Sequence, residues 1–300
     1  MIRIESLALA RGLRERYPLA PYTTWRIGGP ARWFAEPEAD ELLPLLRAAR
    51  EDGVRVHVLG RGSNVLVDSA GVDGLVIVTR NSLVRLEREG ARIVADAGVS
   101  LPRLAKFAAA EGFRGFEFLV GIPGTVGGAV VINAGLTVYR PRETAAVLED
   151  VEAIDAQLVP VVRTAAEIAP AYRSTNLLGS GACVVRARFR LEEAGDPEEI
   201  HRATLEHLAE RKRKQPLDRF TAGSTFKQPA GGRPAGWYIE EAGLKGACEN
   251  GARVSPKHAN WIENRGDATS DDVRRLMDRI VETVHARFGV TLEPEVRFVS

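Results

Sequence analysis

Chemistry in this chain is concentrated in a few short segments. LGRGSNVLV, residues 59–67, ends a strand-like run at Gly60 and supplies Gly62, Ser63 and Asn64. Consecutive N–H groups in such a bend form a concave anion site suited to phosphate. Val65 stands where a dinucleotide fingerprint needs its third glycine, and the chain has no G-x-x-x-x-G-K-[ST] loop. A plain strand-to-strand turn would use the same letters. GIPGTVGGAVVINAG, residues 121–135, brings together Gly121, Gly124, Gly127, Gly128 and Gly135 with Ile122 and Thr125. Glycine at that density costs chain entropy. Close approach of backbone to a large ligand accounts for it, and so does tight packing of strands or helices. Two such loops suit a ligand with a pyrophosphate and two ends, such as FAD.

Tyr172-Arg173-Ser174 places an Arg in a small polar loop, where it can pair with a carboxylate or steady the charge of a cofactor ring. A solvated surface Arg reads the same way. In KQPLDRFTAGSTFKQP, residues 214–229, Ser224 stands between Gly223 and Thr225, with Lys214 and Lys227 nearby in sequence. A hydroxyl is a weak acid, so a proton-donor role needs neighbours that stabilise its alkoxide. Phe226 occupies the last position of a G-x-S-x-G elbow, which argues against a hydrolase triad. His258 in SPKHAN lacks an H-x-x-H or H-E-x-x-H partner, so packing or hydrogen bonding is expected and no metal site. In LEPEVR, residues 292–297, Glu293 and Glu295 fall on one face of a strand with Arg297. That pattern makes a structural ion pair or a proton-handling group in a cleft.

These residues need a scaffold. Apolar spacing predicts helices over 40–52 and 100–113, the second with Ser100 as N-cap, Pro102 in its first turn and Gly112 at its end. A helix is predicted from Pro197 to Lys214 with Asp196 as N-cap, and another from Ser270 to Phe288 with Ser270 as N-cap. Strands are expected at VRVHVLG, GLVIVT, ARIVADAG, VEAIDA, ACVVRARFRL and LEPEVRFV. Without strict alternation, the class is α+β. Phe118 to Tyr139 carries no charge over 22 residues, long enough for a membrane span, but Pro123, Asn133 and five glycines argue against a continuous helix.

The 300 residues include Lys+Arg 41 against Asp+Glu 40, so the net charge of +1 lacks the basic excess of a general nucleic-acid binder. Mean hydropathy is -0.13, ordinary for a globular chain. Cys183 and Cys248 are too few for a disulfide framework and read as reduced thiols. Arg3, Glu5 and Arg11 interrupt any signal-peptide apolar core, so a soluble protein is expected.

Taken in order, TTWRIGGPA, LGRGSNVLV, GFEFLVGIPGTVGGAVVINAG, AYRSTNL, TAGSTFKQP, AGLKG, VSPKHANWIEN and LEPEVRF resemble the UDP-N-acetylenolpyruvoylglucosamine reductase (MurB) family from about Tyr22 to Phe298. The short segment after AYRS resembles its compact type II form. The resemblance implies an N-terminal extension (1–21) and an FAD-binding domain of the PCMH/VAO type (22–195) with two subdomains meeting near 75–80. A substrate-binding α+β domain with its linking helix (196–300) completes it. It also implies reduction of the enolpyruvyl ether of UDP-N-acetylglucosamine by NADPH, in cytoplasmic peptidoglycan synthesis, by a monomer or weak homo-oligomer. On that basis Ser224 is the proton donor, with Arg173 and Glu295 beside it. Tyr172 and Lys214 would contact the nucleotide sugar. FAD would lie against Gly60, Arg61, Gly62, Ser63 and Asn64, against Gly121, Ile122, Gly124, Thr125, Gly127 and Gly128, and against Arg173. Gln228 departs from the Asn of many members and adds a methylene to an amide expected to touch substrate. An FAD oxidase of the same cofactor fold and an inactive nucleotide-sugar-binding protein are the alternative readings.

Overall fold

A computed structural model describes residues 12–136, 142–191 and 193–300. Its helices are α1 (Ala39–Glu51), α2 (Leu101–Ala110), α3 (Val126–Val131), α4 (Pro197–Lys214), α5 (Ala235–Glu241) and α6 (Ser270–Phe288). The chain divides into two compact units. The first is built chiefly from Phe34–Arg61 and Leu75–Glu210, the second from Glu15–Trp33, Gly62–Gly74 and Arg211–Ser300.

The first unit contains a five-stranded sheet in the order Pro160–Thr164, Leu148–Ile154, Cys183–Arg190, Arg92–Asp96, Leu86–Glu89. Every neighbouring pair in it is antiparallel. Charges face each other across its rungs. Arg186 lies opposite Asp96 and bonds it at 2.8 Å, and Arg188 lies opposite Asp150 at 2.7 Å. Strand Val56–Leu59 pairs in parallel with the Leu75–Val78 part of a second sheet strand. In α2 the buried residues Leu101, Leu104, Ala105, Ala108 and Ala109 form one helical stripe, following Ser100 in extended geometry. Helix α4 begins where expected, with Asp196 accepting from the Glu198 amide at 3.2 Å.

The second unit packs around α6, whose buried Val273, Leu276, Met277, Ile280 and Val284 meet Trp25, Leu66, Phe226, Tyr238 and Ile262. The chain's last strand, Arg297–Val299, pairs in parallel with Val65–Val67, the strand that follows the GRGSN bend.

Four expectations change. The N-cap of α6 is Thr269: its hydroxyl accepts the Asp272 amide at 3.2 Å while the Asp272 carboxylate accepts the Thr269 amide at 2.9 Å. Ser270 instead lies in the first turn and exchanges hydrogen bonds with Ser69. The final strand begins only at Arg297, because Pro294 offers no amide to extend a regular ladder. Pro160–Thr164 is a strand that sequence reading passed over. The glycine-rich run holds the six-residue helix α3 and a short 3-10 turn, Glu117–Gly121. Among the described residues, no helix is long and apolar enough to cross a membrane.

Candidate active site

In the first unit, the glycine-rich run is held by the ends of the central strands. Thr125 precedes α3 in extended geometry, and the amides of Val126 and Gly127 donate to the carbonyls of Val99 and Ala97 at 2.9 and 2.8 Å. A side chain on Gly127 would strike the Ala97 Cβ at 2.9 Å, so this glycine is required by packing. Leu101 donates to the Gly124 carbonyl at 3.1 Å, and Ile122 closes the turn begun at Leu119. Gly121 is buried, whereas Gly128 is exposed.

Gly60 has another reason to be glycine. Any Cβ there would collide with the Thr125 Oγ1, so strand end and helix start touch with nothing between them. That Thr125 hydroxyl is buried and has no hydrogen-bond partner among the described residues. A buried, unsatisfied hydroxyl is costly without a ligand, and a phosphate oxygen is the partner that this bare corner would admit. The corner therefore fits the diphosphate of a dinucleotide cofactor. Arg61, also in this unit, is exposed.

Arg173 is placed by a tight turn. Ala171 and Ser174 exchange backbone hydrogen bonds of 2.9 and 3.1 Å, and Arg173 takes a left-handed φ of 55°, unusual for a side chain of its size. Its guanidinium is 12% exposed. It donates to the Gly135 carbonyl at 2.9 Å, stands 3.7 Å from the Glu143 carboxylate and lies over the ring of exposed Tyr172. Sequence reading missed two residues here. Glu143 accepts from Asn133 Nδ2 at 2.8 Å, and the same amide donates to the Ala171 carbonyl at 3.1 Å. Asn133 thus ties the glycine-rich run to the Arg173 turn, and it too has a left-handed φ, 45°. The signal for Asn133 was one polar letter inside an apolar run.

In the second unit, Gly62 adopts φ 62° and sits so close to the Tyr22 carbonyl that no other residue would fit. Ser63 and Asn64 follow, both half-buried. Asn64 Nδ2 donates to the Glu295 carbonyl at 3.2 Å, and the Arg297 amide donates back to the Asn64 carbonyl at 3.0 Å. Ser224 follows Gly223, whose φ of 78° makes the turn before it. Thr225 is wholly buried and shared: its amide donates to the Asn260 carbonyl at 2.8 Å, and its carbonyl accepts from the Glu295 amide at 2.8 Å. Ser224 and Glu295 are therefore held in one hydrogen-bonded patch, both half-buried. The Lys227 amide donates to the Glu293 carbonyl, and its ammonium stands 3.4 Å from the Glu293 carboxylate.

Other predicted residues belong to the same unit. Lys214 is exposed at the end of α4, and exposed Gln228 reaches the Gly232 carbonyl at 3.5 Å. His258 uses Nδ1 to accept from the Asn260 amide at 3.2 Å. Burial pushes its pKa below the ordinary histidine value, and the Lys245 and Arg211 charges add to that shift. Among the described residues no cluster could hold a metal ion. Both cysteines are free, and burial pushes the Cys183 thiol up to about 12.

The first unit's bare phosphate-type corner on an α+β scaffold suits an enzyme that binds a dinucleotide cofactor. Residues 33–157 match the family described as FAD binding domain, and residues 215–299 match UDP-N-acetylenolpyruvoylglucosamine reductase, C-terminal domain. The chain is 44% identical over 292 residues to the UDP-N-acetylenolpyruvoylglucosamine reductase of Synechococcus sp. (strain CC9311), covering 95% of this chain and 92% of that one. It also superposes on the crystal structure of the Thermus caldophilus UDP-N-acetylenolpyruvylglucosamine reductase with a TM-score of 0.80, at 37% identity, over 96% of this chain and 100% of the other. A berberine bridge enzyme variant shares the fold alone, at 14% identity and TM-score 0.50 over 64% of this chain and 44% of that one. The chain belongs to the UDP-N-acetylenolpyruvoylglucosamine reductase family.

Proposed function

We propose that this protein reduces the enolpyruvyl ether of UDP-N-acetylglucosamine to UDP-N-acetylmuramate at the expense of NADPH, in peptidoglycan precursor synthesis. When bound, FAD supplies the hydride chemistry, collecting electrons from NADPH for the carbon–carbon double bond. Gly60 and Thr125 would hold its diphosphate; Gly62, Ser63 and Asn64 are further residues for cofactor binding. Gly121, Ile122, Gly124, Gly128 and Arg61 line its approach, while Gly127 keeps α3 against its strand.

The remaining work falls to the protein. Reduction of a double bond conjugated to a carboxylate drives negative charge onto that carboxylate. Arg173, already oriented by Gly135 and Glu143, is the fixed cation that stabilises it. Ser224 delivers a proton to the adjacent carbon from one side. Glu295, kept protonated or bridged to a cation, helps polarise the same carboxylate. Tyr172, Lys214 and Gln228 contact the nucleotide sugar. Residues 22–195 act chiefly as the FAD-binding domain and 196–300 as the substrate-binding domain, with 1–21 as an extension, although Glu15–Trp33 and Gly62–Gly74 pack in one compact unit with Arg211–Ser300. The matched ranges 33–157 and 215–299 support that division. The chain works in the cytoplasm, where UDP-sugars and NADPH are found, as a monomer or weak homo-oligomer.

The observation that carries this reading is Thr225, whose one peptide joins the Ser224 loop to the Glu295 segment. The test separates the two half-reactions under anaerobic conditions. Ser224→Ala is expected to bleach with NADPH at the parental rate and to reoxidise very slowly with the enolpyruvyl ether. Parental reoxidation would remove Ser224 from the mechanism.

A further inference from the structure

Asn260 lies 34 residues along the chain from Phe226, yet nearly all its hydrogen-bonding capacity is spent on the two residues after Ser224. Its carbonyl accepts the Thr225 amide at 2.8 Å. Its side-chain Oδ1 accepts the Phe226 amide at 3.0 Å, and its Nδ2 donates to the Phe226 carbonyl at 2.8 Å. A carboxamide that meets both the N–H and the C=O of one residue in this way imitates a neighbouring strand. Asn260 is buried, so each of these bonds is made out of water's reach.

The grip extends in both directions. His258 Nδ1 accepts the Asn260 amide, and the Trp261 amide donates to the His258 carbonyl at 3.0 Å, so Asn260 is seated in a closed knot. Beyond Thr225, the Glu295 amide holds the opposite edge of the same backbone. Phe226, 1% exposed, anchors the loop in the core. Ser224 is the residue just before this doubly clamped stretch and makes no hydrogen bond of its own among the described residues. With no hydrogen bond to hold the hydroxyl, the backbone position of Ser224 is what sets where its Cβ and Oγ can reach.

We infer that Asn260 is a positioning residue for the proton-transfer step, fixing the direction of the Ser224 hydroxyl through Thr225 and Phe226. This rests on the assignment of Ser224 as proton donor. Asp in place of Asn retains the acceptor for the Phe226 amide but turns the donor into a second acceptor facing the Phe226 carbonyl, which repels it. The loop then loses its aim while Phe226 keeps its apolar anchor. A reacting group misplaced by about an ångström loses on the order of 10²-fold in rate.

The experiment compares the parent, Asn260→Asp, Asn260→Ser and Ser224→Ala as holoenzymes, following NADPH-driven bleaching and substrate-driven reoxidation separately. For Asn260→Asp the expected result is parental flavin content, a parental bleaching rate, an unchanged KM for the enolpyruvyl ether, and reoxidation slowed by on the order of 10²-fold. The solvent deuterium isotope effect on reoxidation should rise, because proton transfer becomes the slow step. Asn260→Ser, which keeps a small polar group without the paired contact, should show the same split. Reoxidation by both variants within about threefold of the parent, where Ser224→Ala is slow, would overturn the role of Asn260 alone, since a misaimed group costs far more than that. Parental reoxidation by Ser224→Ala would overturn the Ser224 assignment and this inference with it. If both half-reactions fall together with flavin content in both Asn260 variants, Asn260 serves the fold and not the proton step.

Discussion

At the scale of single residues, Thr125 is the side chain poised to act on cofactor affinity. Its hydroxyl is buried, without a hydrogen-bond partner among the described residues, and pressed against Gly60. A group that is unsatisfied in the free protein and satisfied in the complex contributes to affinity and not to stability. Thr125→Val, nearly isosteric, should leave the apoprotein's thermal midpoint unchanged or slightly raised. It should weaken FAD binding by about 1–3 kcal/mol, roughly 5- to 150-fold. Fluorescence titration of the apoprotein with FAD measures the affinity. Gly60→Ala creates a collision with the same hydroxyl, so it should lose most of its cofactor, and Thr125→Ala in the same chain should restore part of it. Glu143 offers a second test. Glu143→Gln removes the charge beside Arg173 while keeping an acceptor for Asn133, so reoxidation should slow while bleaching by NADPH does not.

At the scale of elements, the α6 cap is a local feature with a measurable worth. Thr269→Ala removes one half of the reciprocal pair with Asp272 and should cost about 1 kcal/mol in equilibrium unfolding. On the sheet, Asp96 is 6% exposed and faces Arg186. Arg186→Met leaves that carboxylate buried without its cation and should cost about 1–3 kcal/mol. The main helices were legible in the sequence because periodicity is local. The stripe Leu101, Leu104, Ala105, Ala108 and Ala109 can be counted without knowing what it packs on. Pro160–Thr164 was not, because this outer strand is largely exposed and shows no alternation of buried and open residues. Helix α3 was hidden for a different reason. Gly127 and Gly128 oppose a helix on propensity, and the contact with Ala97 that favours it lies about 30 residues away. In the candidate site, the glycine loops were marked by their spacing, whereas the role proposed for Ser224 came only from the ordered set of family-like segments. Asn133, Glu143 and Asn260 were marked by neither, since each acts on a partner made neighbour only by the fold.

At the scale of the whole molecule, pH reaches both units through histidine. His57 in the first unit is lowered by burial and by the Arg55 charge, and His258 in the second chiefly by burial. Each is held below the 6.5 of the unfolded chain, so the unfolded state takes up protons first. Their contribution is fully present above pH 6.5 and is lost as pH falls through the folded-state values. Asp272 adds a separate acid limit. Burial works against its charge, but hydrogen bonds from Thr269 and Asn250 prevail and hold its pKa at about 2, so its contribution is lost between the ordinary 3.8 and that value. Melts at pH 8 and pH 5 should show a lower midpoint at pH 5, and replacing both histidines by Gln should flatten that difference.

The account as a whole stands on a flavin that is charged by one substrate and discharged by another. The direct measurement is the visible spectrum of the purified protein under anaerobic conditions, first with NADPH and then with the enolpyruvyl ether of UDP-N-acetylglucosamine. The expected record is a flavin band that collapses with the first addition and returns in full with the second, with UDP-N-acetylmuramate formed in equal amount. A protein that holds no flavin, or whose bleached band stays bleached when the enolpyruvyl ether arrives, would contradict it.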